Sequence, residues 1–322
     1  MSSSGRKLGP VLATFVVAGN MIGSGIFLLP AVLAETGSAS LIGWAIAALG
    51  AALLAAVFAL LGMLRPALED LTEYPANGLH PAAGFAAWLG YWISCWVGNV
   101  AILLAAIGYI GTLVPGDLAR SGQIILLLIL IWALAIANIA GARRVGWFAG
   151  ATLAIGLLPI IAAIALSIFH FDSTLFAQSW NVSGDPLNRA IPPIVLTIFW
   201  AFLGLESANA IAPVIRQPNR NVAISAIGGV LLAAVVYALA CAVLFGVLPA
   251  AELSASSAPF ADVVAHLAGT TAGAFIAVAA ITRIIGCAGG WFLVSAQTSR
   301  SGAIFEIEAH FRIALGFFEP VR

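Results

Sequence analysis

Few residues in this sequence have the type and spacing to do chemistry, and all of them are embedded in apolar surroundings. The first group is Gly19-Asn20-Met21-Ile22-Gly23-Ser24-Gly25. Each glycine weakens a helix by about 1 kcal/mol relative to alanine, and a backbone that unwinds there frees the amides of Ser24, Gly25 and Ile26. Free amides at the start of a half-helix attract an anion such as a carboxylate. The same glycines also form an ordinary close-packing face. The second group is Phe199-Trp200-Ala201-Phe202-Leu203-Gly204-Leu205-Glu206-Ser207. Glu206 is the one carboxylate inside an apolar segment, and burying it in lipid is costly unless it is protonated, paired or wetted. It reads as a proton carrier, a cation partner or a link between helices, or as a carboxyl that merely caps neighbouring backbone. In the third group, Tyr91, Cys95 and Asn99 fall on one helical face. An asparagine there either binds a ligand or ties two helices together. Trp200 and Trp291 lie mid-segment, away from the interfacial belt where tryptophan is usual. Each can pack, or stack on a cationic group such as guanidinium.

The elements that position these residues are long and apolar. A spanning helix needs about 20 mostly apolar residues. Eight segments qualify: Val11–Leu33, Leu41–Met63, Ala82–Val114, Gln123–Ile139, Gly146–Phe169, Ile191–Ala212, Val222–Leu248 and Val263–Ala296. The run from Val11 is too long for a typical signal core and contains Asn20. The two glycine breaks fall in the first and sixth segments. That is where they belong if five helices repeat in inverted orientation around a midplane site. Lys and Arg favour a cytoplasmic N-terminus. Arg6, Lys7, Arg65, Arg143, Arg144, Arg216, Arg220, Arg300, Arg312 and Arg322 then lie inside, against Arg120 and Arg189 outside. Arg283 falls within the last segment, where it must pair, snorkel or mark drift.

Composition agrees: 62% of the 322 residues are hydrophobic and 8% charged, against about 25% charged in soluble domains. Zero net charge gives no reason to expect nucleic acid as a partner. Cys95, Cys241 and Cys287 all lie in apolar runs and the four histidines lack ligand spacing, so no metal or cofactor is expected. No nucleotide-binding or nucleophile–base signature appears, so the chain does not read as an enzyme.

At these residues the chain resembles the amino acid–polyamine–organocation superfamily. More narrowly, it is similar to the bacterial basic amino acid/polyamine antiporters, in particular the arginine/agmatine branch. The likeness is carried by Gly19–Pro30, Tyr91–Asn99, Trp180–Gly184, Trp200–Ala208, Gln217–Ala234 and Gly289–Thr298. It implies an all-α, polytopic, leucine-transporter-type inverted-repeat fold in the bacterial inner membrane. The activity implied is alternating-access exchange of a basic amino acid for its decarboxylated amine, arginine for agmatine. By the same resemblance Met21, Ser24 and Gly25 hold the substrate carboxylate. Cys95 and Asn99, with the backbone near Ser94, meet the guanidinium. Trp200 stacks on it, Leu203 packs beside it, and Trp291 closes the site further in. Tyr91 and Glu206 serve as gating residues, Glu206 with a protonation role. Where the family carries a Gly-Gly-x-Tyr run, Glu69-Asp70-Leu71-Thr72-Glu73-Tyr74 stands here. Residues 1–298 form the permease domain and 299–322 a divergent cytoplasmic tail. About eight of the family's twelve helices are present, so the chain reads as C-terminally truncated. The missing helices carry the family's dimer contacts, which counts against a homodimer. The partners expected are lipid and a small amino acid or amine. The alternatives are a general amino acid/polyamine permease and a non-transporting truncated remnant.

Overall fold

A computed structural model describes residues 7–23, 25–65, 68, 72–114, 116, 118–139, 142–206 and 215–314. Ser24, residues 69–71 of the departure from the family pattern, and residues 207–212 of the sixth segment lie outside the described residues, as do Arg6 and Arg322. The chain is an all-α polytopic membrane protein. Among the described residues the only β pairing is an isolated bridge between Leu8 and Ile215.

The first expected segment is two helices, α1 (Pro10–Met21) and α2 (Gly25–Ala34), bent by 56° at the glycines. The second is α3 (Ser40–Leu64), whose Ala47, Ala51, Ala55 and Ala59 are all buried. A stripe of small residues four apart lets neighbouring backbones approach closely, which is how helices associate where lipid supplies no hydrophobic drive. A short α4 (Glu73–Gly78) precedes α5 (Pro81–Gly111), which starts on Pro81 with the His80 ring accepting from Ala82 N at 3.2 Å. Next come α6 (Arg120–Ile139), α7 (Ala142–Phe169) and α8 (Ser173–Gln178). α9 (Leu187–Phe199) tightens into a 3₁₀ turn at Trp200–Phe202, and α10 (Pro218–Phe245), α11 (Ala250–Ala255), α12 (Pro259–Ala268) and α13 (Thr270–Ala314) complete the order. Among the described residues, six helices are long and apolar enough to cross a bilayer, or seven when the bent pair counts as one span.

One expectation changes. The segment Val263–Ala296 is not one helix: Gly269, at φ 89°, divides α12 from α13. Both sides of the break are apolar, so hydropathy alone merges them. The two helices then fold tightly on each other, because a Cβ on Gly273 would lie 2.6 Å from that of Ala265. α13 runs past residue 299 to Ala314.

The centre of the bundle is α10, packed on α1 and α3, together with α13, packed on α5 and α7. Trp44, Phe202 and Tyr237 form a fully buried aromatic cluster between α3 and α10, with Trp44 and Tyr237 stacked at 5.1 Å. Outward faces such as Leu49, Leu53, Ile125 and Trp132 are exposed, as lipid-facing residues are. On one rim, the loop after α8 closes over the link between α2 and α3. Ser38 N donates to Ser179 O at 2.8 Å, Ala39 N to Trp180 O at 2.7 Å, and Val182 N to Thr36 O at 3.1 Å. Gly37 makes this possible: its φ is 92°, and a Cβ there would lie 1.9 Å from Ser179 O.

Candidate functional site

The site forms where the two broken segments meet. α1 ends as Ile22 N donates to Ala18 O at 2.8 Å and Gly23 N turns back onto Met21 O at 2.6 Å. α2 restarts at Gly25. Opposite, Gly204 takes a φ of 102°, which a side chain would oppose. The two breaks touch: a Cβ on Gly204 would lie 3.3 Å from Asn20 O, and one on Gly25 would lie 3.4 Å from Ala201 Cβ. Tyr237 of α10 holds them together. Its buried hydroxyl donates to Met21 O at 2.7 Å and lies 3.4 Å from Ala201 O. An unwound backbone inside a membrane must have its polar groups met by protein or water, and here one tyrosine serves both breaks.

A cavity opens between the breaks and α5. Met21 and Gly25 line it on one side, and Ser94, Cys95, Trp200, Leu203 and Trp291 line the rest. These are seven of the nine residues expected to bind. Ser24 lies outside the described residues. Asn99 stands apart from them. It does not line the cavity but is buried against α13, with Nδ2 donating to Ser295 Oγ at 2.9 Å. The stripe of α5 that faces the cavity runs Ser94, Cys95, Gly98, Ile102. Four residues advance a helix by about 400°, so Asn99 lies about 40° beyond Cys95, past the edge of that stripe. Its Oδ1 is buried and has no partner among the described residues.

Tyr91 and Glu206 come together as a pair. Tyr91 donates from its hydroxyl to Glu206 Oε1 at 3.2 Å, and Glu206 Oε2 accepts from Gly204 N at 3.0 Å. The carboxyl therefore bridges α5 and the second break. Ser94 donates from its hydroxyl to Tyr91 O at 2.7 Å, within its own helix.

Several residues at the site escape sequence reasoning. Tyr237 reads as an apolar packing residue in an apolar run. Gly23, Gly98, Ile102, Ala201 and Cys287 also line the cavity. Gly98 leaves room for the Trp200 indole, whose Nε1 lies 3.7 Å from where a Cβ would stand. Arg283 is anomalous in the sequence, but its partner is not legible there. It neither snorkels nor pairs with a carboxylate among the described residues. It is buried, and Nη2 donates to Gly19 O at 3.2 Å and Ile22 O at 2.6 Å.

A helical membrane protein with two facing broken segments around a cavity has the build of a secondary solute transporter. The chain belongs to the amino acid permease family, whose profile matches residues 8–304. It is similar to the putrescine transporter PotE of Haemophilus influenzae, at 33% identity over 303 residues, covering 94% of this chain and 70% of that protein. PotE of Escherichia coli K12 is 35% identical over 299 residues, covering 92% and 68%. The cadaverine/lysine antiporter of the same strain is 34% identical over 301 residues, covering 92% and 66%. The chain thus spans about two thirds of the length of each.

Proposed function

We propose that this chain is the core of a secondary antiporter of the bacterial cytoplasmic membrane, oriented with its N-terminus inside. It exchanges a basic amino acid for a decarboxylated amine by alternating access. The observation that carries this reading is the chemical polarity of one cavity. At one end lies the restart of α2 at Gly25, where half-helix amides favour a carboxylate. At the other lie Trp200, Cys95 and Gly98. That end has an aromatic face on which a cationic group can stack.

Within this class, arginine and agmatine are the pair the chain resemblance and Trp200 favour, because a planar guanidinium stacks on indole better than an ammonium does. Met21, Ser24 and Gly25 would hold the carboxylate, Trp200 and Leu203 the guanidinium end, and Trp291 the inner closure. Tyr91 and Glu206 would gate it. A second reading takes a diamine pair, supported by relatives named for putrescine and for cadaverine and lysine.

Exchange into liposomes separates these readings. Vesicles carrying the purified chain are loaded with agmatine, putrescine or cadaverine and offered labelled arginine, ornithine or lysine. The proposal expects arginine uptake into agmatine-loaded vesicles to exceed every other combination. Preference for a diamine pair reassigns the substrate. Equal uptake into empty vesicles points to a permease instead, and no uptake above protein-free vesicles removes transport by this chain.

A further inference from the structure

Arg283 is a charged side chain that is buried, at 4% exposure. Its position on α13 has been given room. A Cβ on Gly156 of α7 would lie 2.4 Å from Arg283 Cβ, so a glycine faces the point where the side chain leaves its helix. From there the guanidinium reaches the carbonyl end of α1 and donates to two oxygens three residues apart, Gly19 O and Ile22 O. The last carbonyls of a helix have no partner in the helix itself. Together with the helix dipole they form a site of partial negative charge. Where a membrane helix stops midway, such carbonyls are the groups that coordinate a small cation. Here a guanidinium occupies them, and no carboxylate among the described residues pairs with it. Its Nε–H has no partner among the described residues either.

We propose that Arg283 is a resident cation: it occupies, from the chain itself, the carbonyl seat at the end of α1 that a dissolved monovalent cation would otherwise fill. Substrate binding at the neighbouring break then needs no inorganic cation, and the end of α1 stays tied to α13. Arg283 is a positioning residue, acting on the cavity through α1 rather than by touching substrate. Its function as a clamp rests on the transport reading, while its occupation of the carbonyl seat stands without it.

The test uses the purified full chain at constant ionic strength in N-methylglucamine chloride, with 10 mM sodium, lithium, potassium or methylguanidinium replaced in turn. The expected melting temperature of the unaltered protein is the same in all five. Arg283→Ala is expected to melt lower and to regain at least half of the loss in sodium or methylguanidinium. Arg283→Lys is expected to stay insensitive to added cations. The proposal is overturned if sodium stabilises the unaltered protein. It is equally overturned if Arg283→Ala melts normally, or if its loss is restored by no cation. If Arg283→Ala does not fold, the unaltered protein and Arg283→Lys decide. A parallel arginine–agmatine exchange assay in sodium-free buffer reads the functional arm. There Arg283→Ala should lose at least tenfold in rate and recover with methylguanidinium. Absence of exchange by the unaltered protein in every salt would count against the transport reading and leave the melting result intact.

Discussion

Removing one oxygen atom tests whether the two breaks are held as described. Tyr237→Phe keeps the ring stacked on Trp44 at 5.1 Å and set edge-on to Phe202 at 6.3 Å. The bond to Met21 O and the longer one to Ala201 O are lost. Leaving a buried acceptor unmet costs about 1–3 kcal/mol. Met21 O also receives Gly23 N at 2.6 Å, so it is not orphaned, and the cost falls near the low end, about 1 kcal/mol. If that energy holds the breaks in their binding geometry, substrate affinity drops roughly fivefold, since about 1.4 kcal/mol is a factor of ten. Tyr237→Ala removes the whole ring and costs about 3–5 kcal/mol, as truncation of a buried aromatic does. The assay is thermal melting of purified protein with and without saturating substrate, plus titration of substrate binding. Small parallel losses in stability and affinity for the Phe variant, and a large stability loss for the Ala variant, are expected. A Phe variant that matches the unaltered protein in both measurements refutes the argument, because the hydroxyl would then hold nothing.

Other perturbations reach other parts of the structure. Trp200→Leu keeps apolar bulk but removes the indole face; a cation–π contact worth about 0.5–2 kcal/mol predicts a fall in arginine affinity of roughly 2–30-fold, with lysine affected less, and equal losses for both would argue against stacking. Gly37→Ala places a methyl where Ser179 O stands, at a φ of 92°, so the loop after α8 should detach from Ser38 and Ala39 and become more sensitive to protease around residues 179–186. Asp172 caps α8 by accepting from Thr174 N at 2.7 Å and Leu175 N at 3.3 Å, and these bonds hold its carboxyl below the usual range. A group whose pKa is lowered by folding stabilises above its unfolded value, about 3.9, and that contribution disappears as pH falls through the folded value. Amide protection in Ser173–Gln178 should therefore weaken on acidification below about pH 4, and Asp172→Asn should remove that pH dependence.

The breaks at Gly23–Gly25 and Gly204 were legible in the sequence because glycine and short polar residues interrupt an apolar helix by their backbone properties, which need no partner to be read. The 56° bend and the positive φ of Gly204 follow directly. Gly269 carries the same signal, yet its break is hidden, because the residues on both sides remain apolar and hydropathy averages across it. Side-chain direction is legible only to about one position in a helix: Cys95 faces the cavity as expected, while Asn99, four residues on, has already turned to Ser295. What the sequence could not show is which distant backbone atoms its polar residues satisfy. Tyr237 and Arg283 meet carbonyls 216 to 264 residues away in the chain. Neither partner is a side chain, so no residue type marks it. In a membrane protein this blind spot matters more than in a soluble one. Lipid cannot satisfy an unwound segment there, so each break depends on protein donors or cavity water, and Tyr237 of α10 and Arg283 of α13 are such donors. The cavity is thus shaped by residues that do not line it.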